Sequence, residues 1–196
     1  MIVGLVLCGG RSRRFGAEKA VAPFGDGVLM DVPLRALGSV CVALAVSARA
    51  GSGAERHASK LGVDSLRDAP GDVEGPLAGI RRGLEWASAR GAHRLALAPC
   101  DAVSIEACHY EALVDALADD ETAVVAISST GLEPLVSIWP VAAGLRVVGE
   151  AITDGLHPPI RHVLDRLGAS QMGLRDYDGA NVNFPQDLLQ RPGPGV

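Results

Sequence analysis

Aromatic side chains are scarce in this chain of 196 residues: three Phe, two Trp and two Tyr make up 4% of it. A buried core must therefore be built mainly from Val, Leu, Ile and Ala. The four cysteines (Cys8, Cys41, Cys100 and Cys108) show no CxxC spacing and no nearby paired histidines. They read as small buried hydrophobes in a reducing compartment, which argues against disulfide staples and zinc ligands. Long apolar runs are missing too. The longest charge-free stretches, such as 36–48, fall short of the ~20 residues a membrane helix needs, so no membrane contact is expected. The N-terminal run 2–8 has no basic segment before it and leads straight into Gly9–Gly10–Arg11. It does not read as a signal peptide, and the expected location is cytoplasmic. Nor is there an excess of positive charge: 18 Lys and Arg stand against 23 Asp and Glu, a formal charge of −5. That balance argues against a general nucleic-acid binder.

What is present is a globular chain, with 48% hydrophobic and 21% charged residues. The length suits one substantial domain. Glycine is abundant at 24 residues, about 12% against a usual ~7%, as in open α/β domains with many loops. Ile2–Val3–Gly4–Leu5–Val6–Leu7 is a continuous apolar run closed by glycines, the pattern of a strand buried on both faces of a parallel sheet. Further strands are expected over 40–46, 93–98, 122–127 and 135–139. Between them, 76–89 places Leu77, Ile80, Leu84 and Ala87 on one helical face, with Pro76 at its start and Gly91 past its end. A second helix is expected over 105–117, through Tyr110, Leu113, Val114 and Leu117. Alternating strands and helices predict a doubly wound α/β fold, a mainly parallel sheet flanked by helices. Ligands bind such sheets beyond the carboxyl ends of the strands. No internal repeat or linker is visible, and 191–196 reads as a frayed tail.

Two strand ends carry unusual chemistry. After the first strand, 11–19 holds four of the 18 basic residues (Arg11, Arg13, Arg14 and Lys19), opposed only by Glu18. Backbone N–H groups of a glycine loop together with clustered cations suit a polyphosphate. Neither GxxxxGK[ST] nor GxGxxG is present, because Gly10 and Gly16 are separated by five residues and Ala17 follows. A basic surface loop with turn glycines is the plainer alternative. After the third strand stands Pro99–Cys100–Asp101. A carboxylate there can hold Mg²⁺ against phosphate oxygens, or it can cap the following helix, although Ser104 is better placed for that.

Taken together, Leu7–Cys8–Gly9–Gly10 through Lys19 resembles the LxGGxSxRxGxxK signature of nucleotidyltransferases that activate phosphorylated substrates with a nucleoside triphosphate. Within that superfamily the chain most resembles the molybdenum cofactor guanylyltransferases. Gly75–Pro76–Leu77–Ala78–Gly79, Pro99–Cys100–Asp101 and Asn181–Val182–Asn183–Phe184–Pro185–Gln186–Asp187–Leu188 follow in the family's order, and the resemblance covers nearly the whole chain. It implies a Rossmann-like nucleotidyltransferase domain over 1–190. The implied activity is Mg²⁺-dependent transfer of GMP from GTP to the phosphate of molybdenum-bearing molybdopterin; the alternatives are a related nucleotidyltransferase using CTP or a sugar or other phosphorylated acceptor, and a non-catalytic GTP-binding regulator. Proteins that deliver or receive that cofactor are implied partners. Leu7, Cys8 and Gly9 would receive guanine and ribose, Gly10 would approach the phosphates, and Arg14 and Lys19 would neutralise the triphosphate. Asp68, Pro76 and Leu77 match further nucleotide contacts, Asp101 the metal ligand, and Asn183 a second oxygen donor.

The chain departs from that family at Cys8, where alanine is usual, at Glu18 for aspartate, and at Val103 for proline. Val46–Ser47–Ala48–Arg49 lacks the family's asparagines, which puts one nucleotide contact in doubt. Elsewhere, Asp176–Tyr177–Asp178 has the DxD form of metal-dependent glycosyltransferases, but no apolar strand precedes it, so it reads as a surface turn. Asp119–Asp120–Glu121 reads as a solvated helix end. Cys108 and His109, neighbours within a helical stretch, face different ways. Trp86 and Trp139 read as packing residues.

Overall fold

The computed structural model describes residues 1–9, 15–67, 75–153, 158–182 and 184–190. Along the chain, β1 (Ile2–Leu7) is followed by a small hairpin, β2 (Pro23–Phe24) and β3 (Gly27–Val28), then by α1 (Asp31–Gly38) and β4 (Leu44–Ser47). Next come α2 (Gly53–Leu61), β5 (Asp64–Leu66), α3 (Pro76–Ala89) and β6 (Arg94–Pro99). The rest comprises α4 (Ala107–Asp115), β7 (Val124–Ser128), β8 (Gly131–Pro140), α5 (Val141–Thr153), α6 (Ile160–Arg166) and β9 (Ser170–Gly173).

Seven strands form one sheet in the order β5-β4-β1-β6-β8-β7-β9. The apolar run Ile2–Leu7 has no polar face, and it lies inside this sheet with a parallel neighbour on each side. The β4–β5 and β7–β9 pairs are parallel as well, whereas β8 runs antiparallel to both β6 and β7. The expected doubly wound, mainly parallel α/β sheet is thus what forms. From β1 the chain winds outward through β4 to β5, then returns to place β6 on the other side of β1. The order therefore reverses between β1 and β6, where the carboxyl ends of two adjacent strands open a crevice.

Alternation along the strands builds a core on each face. Val3, Leu5, Ala45, Leu95 and Leu97 pack with α3, α5 and α6. Val6, Val46, Ala96 and Ala98 pack with α1, α2 and α4. The helix expected over 76–89 forms with those ends. The strand expected over 40–46 is shorter, because 40–43 is a turn in which Val42 is exposed and its N–H reaches the Ile2 carbonyl. The strand expected over 135–139 is longer: it begins at Gly131 as the second arm of a hairpin with β7. Trp139 and Trp86 are buried packing residues. Of the cysteines, Cys8 is buried, Cys41 and Cys100 are half-buried and Cys108 is exposed, so Cys108 departs from the expected burial. No helix among the described residues is long and apolar enough to cross a membrane.

Candidate active site

The chain leaving β1 is anchored before it reaches Lys19. Phe15 is buried in the core, and Gly16 takes a positive φ of 74°. The Glu18 carboxylate then accepts hydrogen bonds from the Gly53 N–H (2.6 Å) and the Ala54 N–H (2.8 Å) at the start of α2. An anion at this position satisfies two of the amides that a helix leaves unpaired and complements the helix dipole. The approach is close enough that a Cβ on Gly53 would lie 3.0 Å from Glu18 Oε2 and 2.8 Å from Val21 Cγ2. In the sequence Glu18 stands out only as a glutamate where the family has aspartate. The available signal was Ser52–Gly53–Ala54–Glu55, the S-x-x-E sequence pattern of a helix start, where Ser52 Oγ accepts from the Glu55 N–H at 3.1 Å.

Lys19 follows at once. Its ammonium donates to Asp101 Oδ2 and to the Val182 carbonyl, joining positions 82 and 163 residues apart in the chain. Side-chain exposures in the Lys19–Asp101 pair are only 15% and 14%. The adjacent strands account for the meeting. Leu7 and Pro99 are register partners, and the Cys100 N–H donates to the Leu7 carbonyl at 3.2 Å. Cys8 and Cys100 therefore lie side by side. Hydrogen bonding to the Cys100 thiol, together with burial, pushes the Cys8 thiol well above its ordinary range, so it remains a neutral packing group. One residue further, Asp101 emerges into the crevice.

Asp101 does not cap the following helix, and neither does Ser104. The N-cap of α4 is Glu106, whose N–H donates to His109 Nδ1 at 3.0 Å. Ser104 turns instead towards the end of the chain and donates to Asp178 Oδ1 at 2.6 Å. There the segment 180–182 runs alongside Asp101–Ala102, through a bridge between Ala102 and Asn181 and a 3.4 Å bond from the Val182 N–H to the Asp101 carbonyl.

The third wall is the start of α3. Gly75 adopts φ 139°, a conformation costly for any residue with a Cβ, and Pro76 occupies the first helical turn without needing a donor. Leu77 is buried. Gly79 lets the helix lie against the ends of β1 and β4: a Cβ there would sit 2.6 Å from Ser47 Oγ and 3.0 Å from Leu7 Cδ2. Leu7, Cys8, Gly9, Lys19, Pro76, Leu77 and Asp101 are thus distributed around the carboxyl ends of β1, β4 and β6. The Cys8 N–H is committed to the Ser47 carbonyl, so polar contacts to a nucleotide from this stretch would come from Gly9 onward. Gly10, Arg14, Asp68 and Asn183 lie outside the described residues, as does the tail 191–196.

Residues missed from sequence lie on the side of Asp101 that faces the C-terminal segment. The exposed turn expected at 176–178 is only partly one: Asp176 is exposed with φ 61°, but Tyr177 is buried against the His109 ring at 5.3 Å. Glu133, expected nowhere, accepts from Ser128 Oγ at 2.8 Å, and burial raises its carboxyl above the ordinary range. Among the described residues, no cluster of three or more His, Cys, Asp or Glu side chains is placed to hold a metal. A hard cation here would rely on Asp101, whose Oδ1 accepts no hydrogen bond among the described residues, and on substrate oxygens. That donor set fits Mg²⁺, which is commonly held by one or two carboxylates plus phosphates.

Residues 4–170 match the MobA-like NTP transferase domain. The chain is 34% identical to a molybdenum cofactor guanylyltransferase of Cereibacter sphaeroides, covering 96% of this chain and 94% of that one. It is 32% identical to the protein of the same description from Mesorhizobium japonicum, over 96% and 93%. The solved structure of molybdopterin-guanine dinucleotide biosynthesis protein A from Archaeoglobus fulgidus shares the fold, with a TM-score of 0.67 and 24% identity over 97% and 96% of the two chains. The crevice between β1 and β6, with Lys19 and Asp101 paired at its floor, therefore sits in a nucleotidyltransferase, and the chain belongs to the MobA-like NTP transferase family.

Proposed function

We propose that this enzyme transfers GMP from Mg·GTP to the phosphate of molybdenum-bearing molybdopterin, releasing pyrophosphate. The observation that carries the reading is the meeting of Lys19 and Asp101 at the strand-order reversal, in a chain similar over nearly its full length to guanylyltransferases of that description. An oxygen of the acceptor phosphate forms the new bond to the α-phosphorus. The bond from the α-phosphorus to the α,β-bridging oxygen breaks, and its electron pair leaves on that oxygen with pyrophosphate. The acceptor oxygen is already ionised, so no general base is needed, and the protein's work is alignment and charge screening. Lys19, held by Asp101 and the Val182 carbonyl, presents a fixed ammonium towards the phosphates. Asp101 would hold Mg²⁺, with Asn183, the residue after Val182, as second donor; the metal would supply neutralisation of phosphate charge. The start of α3 and the Gly9 segment form the nucleotide wall, and their match to the guanylyl branch supports guanine over cytosine.

Calorimetry with GTP, CTP and ATP, followed by pyrophosphate release with molybdopterin as acceptor, tests this directly. A mismatched base leaves buried polar groups unpaired at roughly 1–3 kcal/mol each, so GTP should bind at least about tenfold tighter. Equal affinity for GTP and CTP would overturn the guanine assignment and leave the family membership standing.

A further inference from the structure

We propose that Asp178 is a positioning residue for the transfer reaction, holding the C-terminal arm over Asp101 so that Lys19 keeps its aim. The proposal rests on the functional reading above. It starts from a sequence motif that reading did not use, Asp176–Tyr177–Asp178. After β9 the chain must leave the sheet edge and come back across the loop that follows β6. Contacts at Arg175, Tyr177 and Asp178, with a backbone reversal at Asp176, achieve this. His109 Nε2 donates to the Arg175 carbonyl at 3.0 Å, a tautomer fixed by His109 Nδ1 accepting the Glu106 N–H. Tyr177 turns inward and packs on the His109 ring, while Asp176 takes up the reversal at φ 61°. Asp178 Oδ1 then accepts from Ser104 Oγ at 2.6 Å and from the Ala180 N–H at 2.9 Å.

That carboxylate oxygen joins the Asp101 loop to the arm. Ser104 lies three residues after Asp101, and Ala180 lies two before Val182. Among the described residues, the arm is held between these points by the Ala102–Asn181 bridge, the 3.4 Å bond from Val182 to Asp101, and the Lys19 bond to the Val182 carbonyl. Without the Asp178 bridge the arm loses its register on the loop. The Val182 carbonyl then no longer fixes the Lys19 ammonium, although neither reacting group has been touched. Misplacement of about 1 Å in a positioned group can cost on the order of 10²-fold in rate.

The test compares Asp178→Ala, Asp178→Asn and Ser104→Ala by turnover, GTP affinity and amide hydrogen exchange across 179–182. Asp178→Ala and Ser104→Ala should each lower kcat at least about tenfold per folded molecule, with GTP affinity within about threefold, because the nucleotide wall is untouched. Asp178→Asn keeps an oxygen that can accept from both donors, so kcat should recover to within about threefold of wild type. Exchange across 179–182 should quicken in the first two variants and stay slow in the third. Wild-type kcat in a folded Asp178→Ala would overturn the proposal, and so would Asp178→Asn as slow as Asp178→Ala, which would mean the charge acts directly. Should Asp178→Ala fail to fold, Ser104→Ala cuts the same bond from the other side and decides. Should the wild type transfer nothing to molybdopterin, the functional reading fails on its own; unchanged exchange in Ser104→Ala would then overturn the bridge separately.

Discussion

Lys19 and Asp101 each hold the other's charge in a nearly closed place, so removing one leaves the other exposed to an unfavourable environment. Lys19→Ala should reduce pyrophosphate release by on the order of 10²-fold or more, since a preorganised cation at the departing phosphates is gone. Lys19→Arg should rescue poorly, because a planar fork does not occupy the space of a point charge between Asp101 Oδ2 and the Val182 carbonyl. A folded Lys19→Ala enzyme with wild-type turnover would remove Lys19 from the mechanism. The pair also makes a stability prediction. Asp101→Ala should lower urea-measured stability by roughly 2 kcal/mol, and adding Lys19→Met should recover part of that, because the stranded ammonium is then absent. Additive losses in the double variant would show that the pair is not coupled. Lys19 and Asp101 were both legible in the sequence as charges at strand ends. Their contact was not, because no local pattern reports which of several loops share one crevice.

Helix α3 shows how glycine sets the distance between a helix and a sheet. A Cβ on Gly83 would lie 2.5 Å from Leu5 Cδ2 and 3.1 Å from Leu95 Cδ2, two fully buried side chains. Gly83→Ala gains about 1 kcal/mol of helix propensity but must displace that core, so a net loss of roughly 1–2 kcal/mol is expected. Gly149 in α5 provides the contrast, since a Cβ there meets nothing within 4 Å. Gly149→Ala should stabilise by up to about 1 kcal/mol. Denaturant midpoints on the two variants should move in opposite directions; a shift of the same sign in both would mean that packing is not what distinguishes them. The apolar period of 76–89 made this helix readable with its ends. The shorter α2 and the strands β5 and β9 carry too few apolar residues to announce themselves, and they exist because the sheet supplies partners.

At the scale of the whole molecule, one half-buried carboxyl gives stability a specific pH dependence. Glu133 is pushed above the ordinary carboxyl range mainly by burial, with the Ser128 and Thr130 hydroxyls opposing the shift. A raised folded pKa means the native state holds this proton more tightly than the unfolded chain. Its contribution to stability is therefore present at low pH and is lost as pH rises through the folded value. Glu133→Gln should melt above wild type at pH 7.5, and the gap should close as pH falls towards 4.5. A gap that widens on acidification would reverse the assigned cause. Such a measurement reads Glu133 by difference, so the other carboxylates cancel.

The sequence by itself determined the fold class, the central strand Ile2–Leu7, helix α3 and the chemical type of the two loops at the crevice. Each of these rests on local pattern: apolar period, glycine where backbone must approach, charge where an anion must sit. Only the tertiary structure decided that Ser104 serves Asp178 instead of capping α4, and that Tyr177 is a buried anchor in place of an exposed turn. It also decided that Glu18 closes the start of α2 and that the Val182 carbonyl accepts from Lys19. These partners lie from 35 to 163 residues apart in the chain. Their pairing is set by the reversal of strand order at β1 and β6, which brings distant loops to one end of the sheet and leaves no periodic trace in the residues themselves.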